Sequence, residues 1–201
     1  MKKTLIQCCL GCLALVTMCS CEKDTFENYN ASYSYKLSGN VTLVPTLYAE
    51  ASTEALDSMI AAGDVIDTLQ CPVKPEQGQL RIVDKGDGST YLTFNNMTGG
   101  VTLANAQIDK KHFTFSGTDK EISILYSKHA NSNNNNIEDI ISEPNHHFTT
   151  YVAYEGTGDE FNKTLIFTLR YTGKVKTKDF LKEKEWTIID SNIECVANQN
   201  E

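Results

Sequence analysis

The residues of this chain with the widest chemical reach are its seven cysteines, and they fall into two groups. Cys8, Cys9, Cys12, Cys19 and Cys21 crowd the start, whereas Cys71 and Cys195 stand alone in the rest of the sequence. A thiolate is a nucleophile, a metal ligand or half of a disulfide, depending on its neighbours. Cys71 and Cys195 lie in no Cys-x-x-Cys motif, so neither dithiol exchange nor zinc binding is supported. They are candidates for one disulfide in an oxidising compartment, which needs Cα atoms within about 7 Å. The alternative is two separate buried thiols that act as small apolar residues.

Other chemistry-bearing groups are weaker. His129, His146 and His147 fall in a polar insert from Lys128 to His147 that includes an Asn run, 131–136. Adjacent histidines on extended chain point opposite ways, so no metal site is expected. Glu155, Asp159 and Glu160 cluster around Gly156 and Gly158, where a turn is predicted. A glycosidase pair needs two carboxyls across a cleft, an arrangement that sequence alone does not show. Asp84-Lys85-Gly86-Asp87-Gly88 has the acids of a calcium loop but not its ligand spacing, since the twelfth position is Asn95 rather than Glu. No Gly-x-Ser-x-Gly elbow, P-loop or Gly-x-Gly-x-x-Gly occurs. No catalytic residue and no cofactor are assigned, and the chain is not expected to be an enzyme.

The first group of cysteines has a clearer meaning. Met1-Lys2-Lys3 is basic, and Thr4 to Met18 carries no charge. That run is shorter than the ~20 residues of a membrane span and fits the apolar region of a secretory signal. It ends in Met18-Cys19-Ser20-Cys21, which resembles a bacterial lipobox. The resemblance implies cleavage after Ser20 and a diacylglycerol group on the Cys21 thiol. Residues 1–20 are then a lipoprotein signal peptide and 21–32 a polar, lipid-anchored tether. The expected place is the outer membrane, with membrane contact through the N-terminal lipid. Glu22-Lys23-Asp24 resembles the charged export tag of Bacteroidetes surface lipoproteins, and the periplasmic or surface face stays open. A plain secreted protein with a different cleavage point is the alternative.

Removing the leader leaves about 180 residues, enough for one domain with a core. The formal charge of −8 then becomes two units more negative, because the leader holds two Lys and no acid. Phosphate backbones need positive surface, so nucleic acid is excluded as a partner. Acyl chains must do the anchoring, at about 0.8 kcal/mol per buried CH₂.

Beyond the tether the hydrophobic period is two. Tyr33, Tyr35, Leu37, Val41 and Leu43 alternate with polar residues up to Pro45, with Gly39 marking a bulge or bend. Glu50 to Ala62 is the one predicted short helix, capped by Ser52 or Thr53 and stopped at Gly63. Leu80 to Val83 and Tyr91 to Phe94 flank a Gly/Asp turn and predict a hairpin. Further short strands are predicted at Val101–Ala104, His112–Phe115, Glu121–Ser127, Phe148–Tyr154 and Leu165–Tyr171, with closing strands at Trp186–Ile189 and Ile193–Val196. Residues 178–184 suggest a helical turn. The expected fold is all-β, an antiparallel barrel of about eight to nine strands over residues 33–198.

The stretch Gly78 to Phe94, then Thr114-Phe115-Ser116-Gly117-Thr118 and the strand Leu165 to Gly173, resembles the calycin-like (lipocalin-like) β-barrel lipoproteins of Bacteroidetes. The resemblance implies a lipocalin-like barrel and carries no binding residues onto this chain. The lipocalin Gly-x-Trp is missing, and the single tryptophan is Trp186. Two readings follow. One is a lipid-anchored cell-envelope barrel that binds a small ligand, its mouth covered by segments 50–62 and 128–147. The other is a non-enzymatic interaction subunit of an outer-membrane complex, with a filled core. Phe94, Phe115, Phe148, Phe167 and Tyr171 are candidates to fill it.

Overall fold

A computed structural model describes residues 26, 28–64, 68–87, 89–125, 147–176 and 185–201. The lipobox with Cys21, the insert residues 126–146 and the segment 177–184 lie outside the described residues.

The described residues form nine strands: β1 (Ser32–Pro45), β2 (Leu69–Asp84), β3 (Thr90–Asn96), β4 (Val101–Asp109), β5 (His112–Leu125), β6 (His147–Phe161), β7 (Thr164–Thr172), β8 (Lys174–Lys176) and β9 (Glu185–Gln199). All pairings are antiparallel, in the order β1-β2-β3-β4-β5-β6-β7-β9, and β9 returns to β1. Eight strands therefore close a ring, and β8 continues the β7 side of β9 beyond Gly173. Closure leaves no long sheet edge, and one inward side chain every second residue builds the core. Tyr33, Tyr35, Leu37, Val41 and Leu43 of β1 all point inward and are buried, and Pro45, which has no N–H to donate, ends the strand.

The segment before β1 is not all tether. Phe26 is buried and meets the Phe113 ring edge-on at 5.0 Å, while its N–H donates to the Lys110 carbonyl. The barrel end that carries the β2–β3, β4–β5 and β6–β7 turns is thus plugged by an aromatic from the segment that precedes β1. Behind the plug, Phe113, Phe115 and Phe167 pack edge-to-face, with Phe94 and Tyr35 completing the row. Phe94, Phe115, Phe167 and Tyr171 are all inside, as their alternation suggests. The Phe148 side chain lies outside the described residues.

Helix α1 (Thr46–Ala49) and helix α2 (Thr53–Ala61) link β1 to β2. Ser52 caps α2 by accepting from the Ala55 N–H, and Gly63 takes φ of 91° just beyond it. No residue of α2 is buried.

Three expectations are corrected. The Gly156–Gly158 stretch is not a turn; it is the middle of β6, and the turn sits at Asn162–Lys163, both at positive φ. The glycines are there because a Cβ on Gly156 would meet the Phe115 ring at 2.1 Å. His112–Phe115 and the described part of the second stretch, Glu121–Leu125, are not separate strands but parts of β5, and Trp186–Ile189 and Ile193–Val196 are both parts of β9. On β5 the polar interruption holds a β-bulge at Thr118–Asp119; on β9 the polar residues 190–192 stay in register with β1, and the bulge lies just before them at Ile189.

Candidate functional site

The bulges place the only buried ion pair among the described residues. On β2 the inward residues before the bulge are Cys71 and Val73, at odd positions; beyond it they are Glu76, Leu80 and Ile82, at even positions. The switch occurs where Lys74 and Pro75 together face Ser38 of β1. Proline in mid-strand is tolerated at such a bulge because its missing N–H breaks no ladder bond there. On β5 the inward set runs Phe113, Phe115, then Lys120, Ile122, Ile124. Here Thr118 and Asp119 together face Ala153 of β6, and Asp119 takes φ of 58°. One extra residue flips every later side chain to the other face, so each bulge turns a charged residue inward.

Lys120 Nζ donates to both Glu76 carboxylate oxygens, at 2.9 and 3.0 Å. The Lys120 side chain is 3% exposed and that of Glu76 17%. The Tyr35 hydroxyl donates to Glu76 Oε1 at 2.5 Å. Tyr154 and Tyr171 reach the same interior, and their hydroxyls have no partner among the described residues. Burial, and after it the nearby Glu76 charge, hold both phenols far above their ordinary range. Burial and the hydrogen bond to Glu76 do the same to Tyr35. All three therefore stay neutral hydroxyls at neutral pH. Gly117 makes room, since a Cβ there would lie 2.6 Å from the Tyr154 hydroxyl.

The wall beside this cluster is open. β4 pairs with β5 only over Asn105–Asp109, and β5 touches β2 at the single pair Val73–Ile124. Beside this gap the β3–β4 turn is tied to β2 by the Met97 N–H, which donates to the Gln77 carbonyl. Two concavities open on this seam. One, of about 600 Å³, is lined by Glu76, Gln77, Asn96, Met97, Ile122 and Tyr171 among others. The other, of about 640 Å³, lies between Val101 and Leu103 of β4 and Gly117, Asp119 and Tyr154. α2 lines neither. The partly exposed carboxylate of Glu76 and two neutral phenols thus stand behind an opening in the side of the barrel. They can accept and donate hydrogen bonds, and Glu76 and Lys120 cancel in charge.

The chain matches no protein-family model, and no curated protein is significantly similar to it.

Cys71 and Cys195 are both buried free thiols, so the disulfide considered for them is not formed. They lie on opposite sides of β1: Cys71 is registered with Val41 and Cys195 with Leu37. A bridge would have to cross the strand between them. Burial raises each thiol to about 12, so neither is a nucleophile at neutral pH. Glu155 and Asp159 point outward from β6, opposite Arg170 and His112, while Glu160 accepts from the Asn28 amide at 2.9 Å. These three acids form no cleft pair.

His112 was not flagged by its sequence surroundings. Its Nδ1 lies 2.9 Å from Asp159 and its Nε2 3.2 Å from the Thr157 hydroxyl. The order acid, imidazole, hydroxyl resembles a nucleophile relay, but both the His and Asp side chains are more than half exposed. Water competes for each bond there. Among the described residues no three His, Cys, Asp or Glu side chains gather as a metal site. No described helix is long and apolar enough to cross a membrane.

Proposed function

We propose that this chain is a lipid-anchored outer-membrane barrel that binds a small ligand through the seam where β2 and the β3–β4 turn face β5. The carrying observation is the polar cluster behind that seam. Tyr171 is buried, its hydroxyl has no partner among the described residues, and it lines a concavity of about 600 Å³ together with Glu76. A buried polar group left unpaired costs about 1–3 kcal/mol, and a ligand's polar atoms offset that cost. The concavity falls in the usual size range of small-molecule sites, about 300–1,000 Å³. Resemblance to calycin-like lipoproteins supports the same reading, as does the lipobox-like run ending at Cys21. Entry is through the side wall rather than the end that Phe26 plugs, where aromatics fill the row behind it.

The test is amide mapping by NMR of the mature domain, titrated with small molecules extracted from the envelope. Shifts confined to residues around Gln77, Gly100, Gly117 and Ser123 support the site. Shifts nowhere, or only on the outer face, count against it.

A second reading, an interaction subunit, is favoured by one observation. Val101 and Leu103 are 70% and 54% exposed on the stretch of β4 that no β5 residue pairs. Exposed apolar side chains on a free strand edge suit partner addition. Leu103→Lys would then abolish a complex seen on native gels while leaving any small-ligand shifts intact.

A further inference from the structure

We infer that the ligand is a neutral, hydroxyl-rich small molecule, of the class of monosaccharides and polyols; this rests on the small-ligand reading above.

Charge decides first. Lys120 and Glu76 neutralise each other through two contacts of 2.9 and 3.0 Å, so the interior offers no net charge to a guest. An anion would have to draw Lys120 away and strand the Glu76 carboxylate. A cation would meet Lys120 behind the carboxylate it sought. The two rim charges nearest the opening, Lys74 and Glu121, are also of opposite sign. Removing a buried partner from an ion pair is strongly unfavourable, so charged guests are disfavoured in both directions.

Hydrogen-bonding capacity decides next. The hydroxyls of Tyr154 and Tyr171 each have a donor and acceptor sites to offer and no partner among the described residues. Glu76 Oε2 accepts only from Lys120, which leaves it capacity for another donor. Two of the three Lys120 N–H groups suffice for Glu76, and one remains. Tyr171 and Glu76 line the same concavity, so a group that both donates and accepts matches the two at once, and a hydroxyl is the simplest such group. An apolar guest would leave the phenols unpaired. The rim repeats the pattern: Gln77, Asn96, Thr98 and Ser123 are neutral and polar, and Met97 and Ile122 supply surface for C–H groups.

The test uses the mature protein and four probes of similar size: glucose and myo-inositol as neutral polyols, gluconate as the acid and glucosamine as the amine. Binding is followed by calorimetry and by the Met97 methyl resonance. Expected is saturable binding of at least one neutral probe, with gluconate and glucosamine at least roughly tenfold weaker, and a roughly tenfold loss for the neutral probe in Tyr171→Phe. Tighter binding of the acid or the amine overturns the class and leaves the small-ligand reading standing. So does silence of all four probes while the envelope extract still shifts the seam. Silence of both probes and extract overturns both.

Discussion

Glu76 and Lys120 meet inside the barrel at 2.9 Å although they stand on strands that make only one backbone pairing with each other, Val73 with Ile124. Each is turned inward by its own bulge, and the two bulges fall next to the place where the wall opens. Charge, strand geometry and opening therefore coincide at one spot.

Breaking the pair from either side is expected to cost unequal amounts. Glu76→Leu leaves Lys120 almost wholly buried without its counter-charge and should destabilise by about 3–5 kcal/mol. Lys120→Met strands a carboxylate that reaches the opening, and should cost about 2–3 kcal/mol. The double variant Glu76→Leu/Lys120→Met should return to within about 1 kcal/mol of the parent, because an apolar pair needs no desolvation. Urea unfolding of the four proteins measures this. Additive single effects would contradict direct coupling.

Alkaline pH should unfold the protein early. Burial raises Cys71, Cys195 and Tyr33 to about 12, and holds Tyr35, Tyr154 and Tyr171 above their ordinary range as well. In the unfolded chain the thiols ionise near pH 9 and the phenols near pH 10. Above those values the unfolded state has lost protons that the folded state keeps, so stability falls as pH rises. Each group contributes up to about 1.4 kcal/mol per pH unit across its window, and the whole contribution is intact below pH 9. Tyrosinate absorbance from Tyr33, Tyr35, Tyr154 and Tyr171 should rise only together with unfolding. A single smooth titration of all nine tyrosines would contradict the burial.

Much of the fold was legible because alternation over short strands admits few answers. The strands around Tyr33–Leu43, Leu80–Phe94 and Leu165–Tyr171 follow directly from it, and so does the all-β barrel. Bulges were harder, since Ser116-Gly117 reads as a strand end when it is the approach to a bulge. The signal was nonetheless present as a parity change. Phe113 and Phe115 are odd, Ile122 and Ile124 even, and the core can take both sets only if one extra residue lies between. Lys120 shares the later parity, as Glu76 shares that of Leu80 across Pro75. That the two then meet is a three-dimensional fact that no single strand encodes. Gly156 misled for the opposite reason: its small size serves Phe115, its register partner on the neighbouring strand β5, not a local turn.

The two thiols are expected to remain reduced and slow. Alkylation of the folded mature domain should modify neither, and both should react on unfolding, because each is buried and held near 12. Peptide mass spectrometry after mild oxidation checks the pairing. A Cys71–Cys195 cross-link would require β1 to move from between them.

Lipidation is checked at Cys21. The N-terminal peptide of the mature protein should begin there and carry acyl mass, and Cys21→Ala should leave an uncleaved or soluble product. A mature N-terminus elsewhere without acyl mass would contradict the lipobox resemblance.

The most direct measurement is the stability of Tyr154→Phe/Tyr171→Phe with and without a neutral polyol. If these hydroxyls wait for a ligand, removing them relieves an unpaired buried group, so the free variant should be more stable than the parent by about 1 kcal/mol. It should also lose the stabilisation that saturating ligand gives the parent. A variant that is less stable when free, and that the ligand stabilises as much as the parent, would show hydroxyls already satisfied within the fold and no ligand site behind the seam.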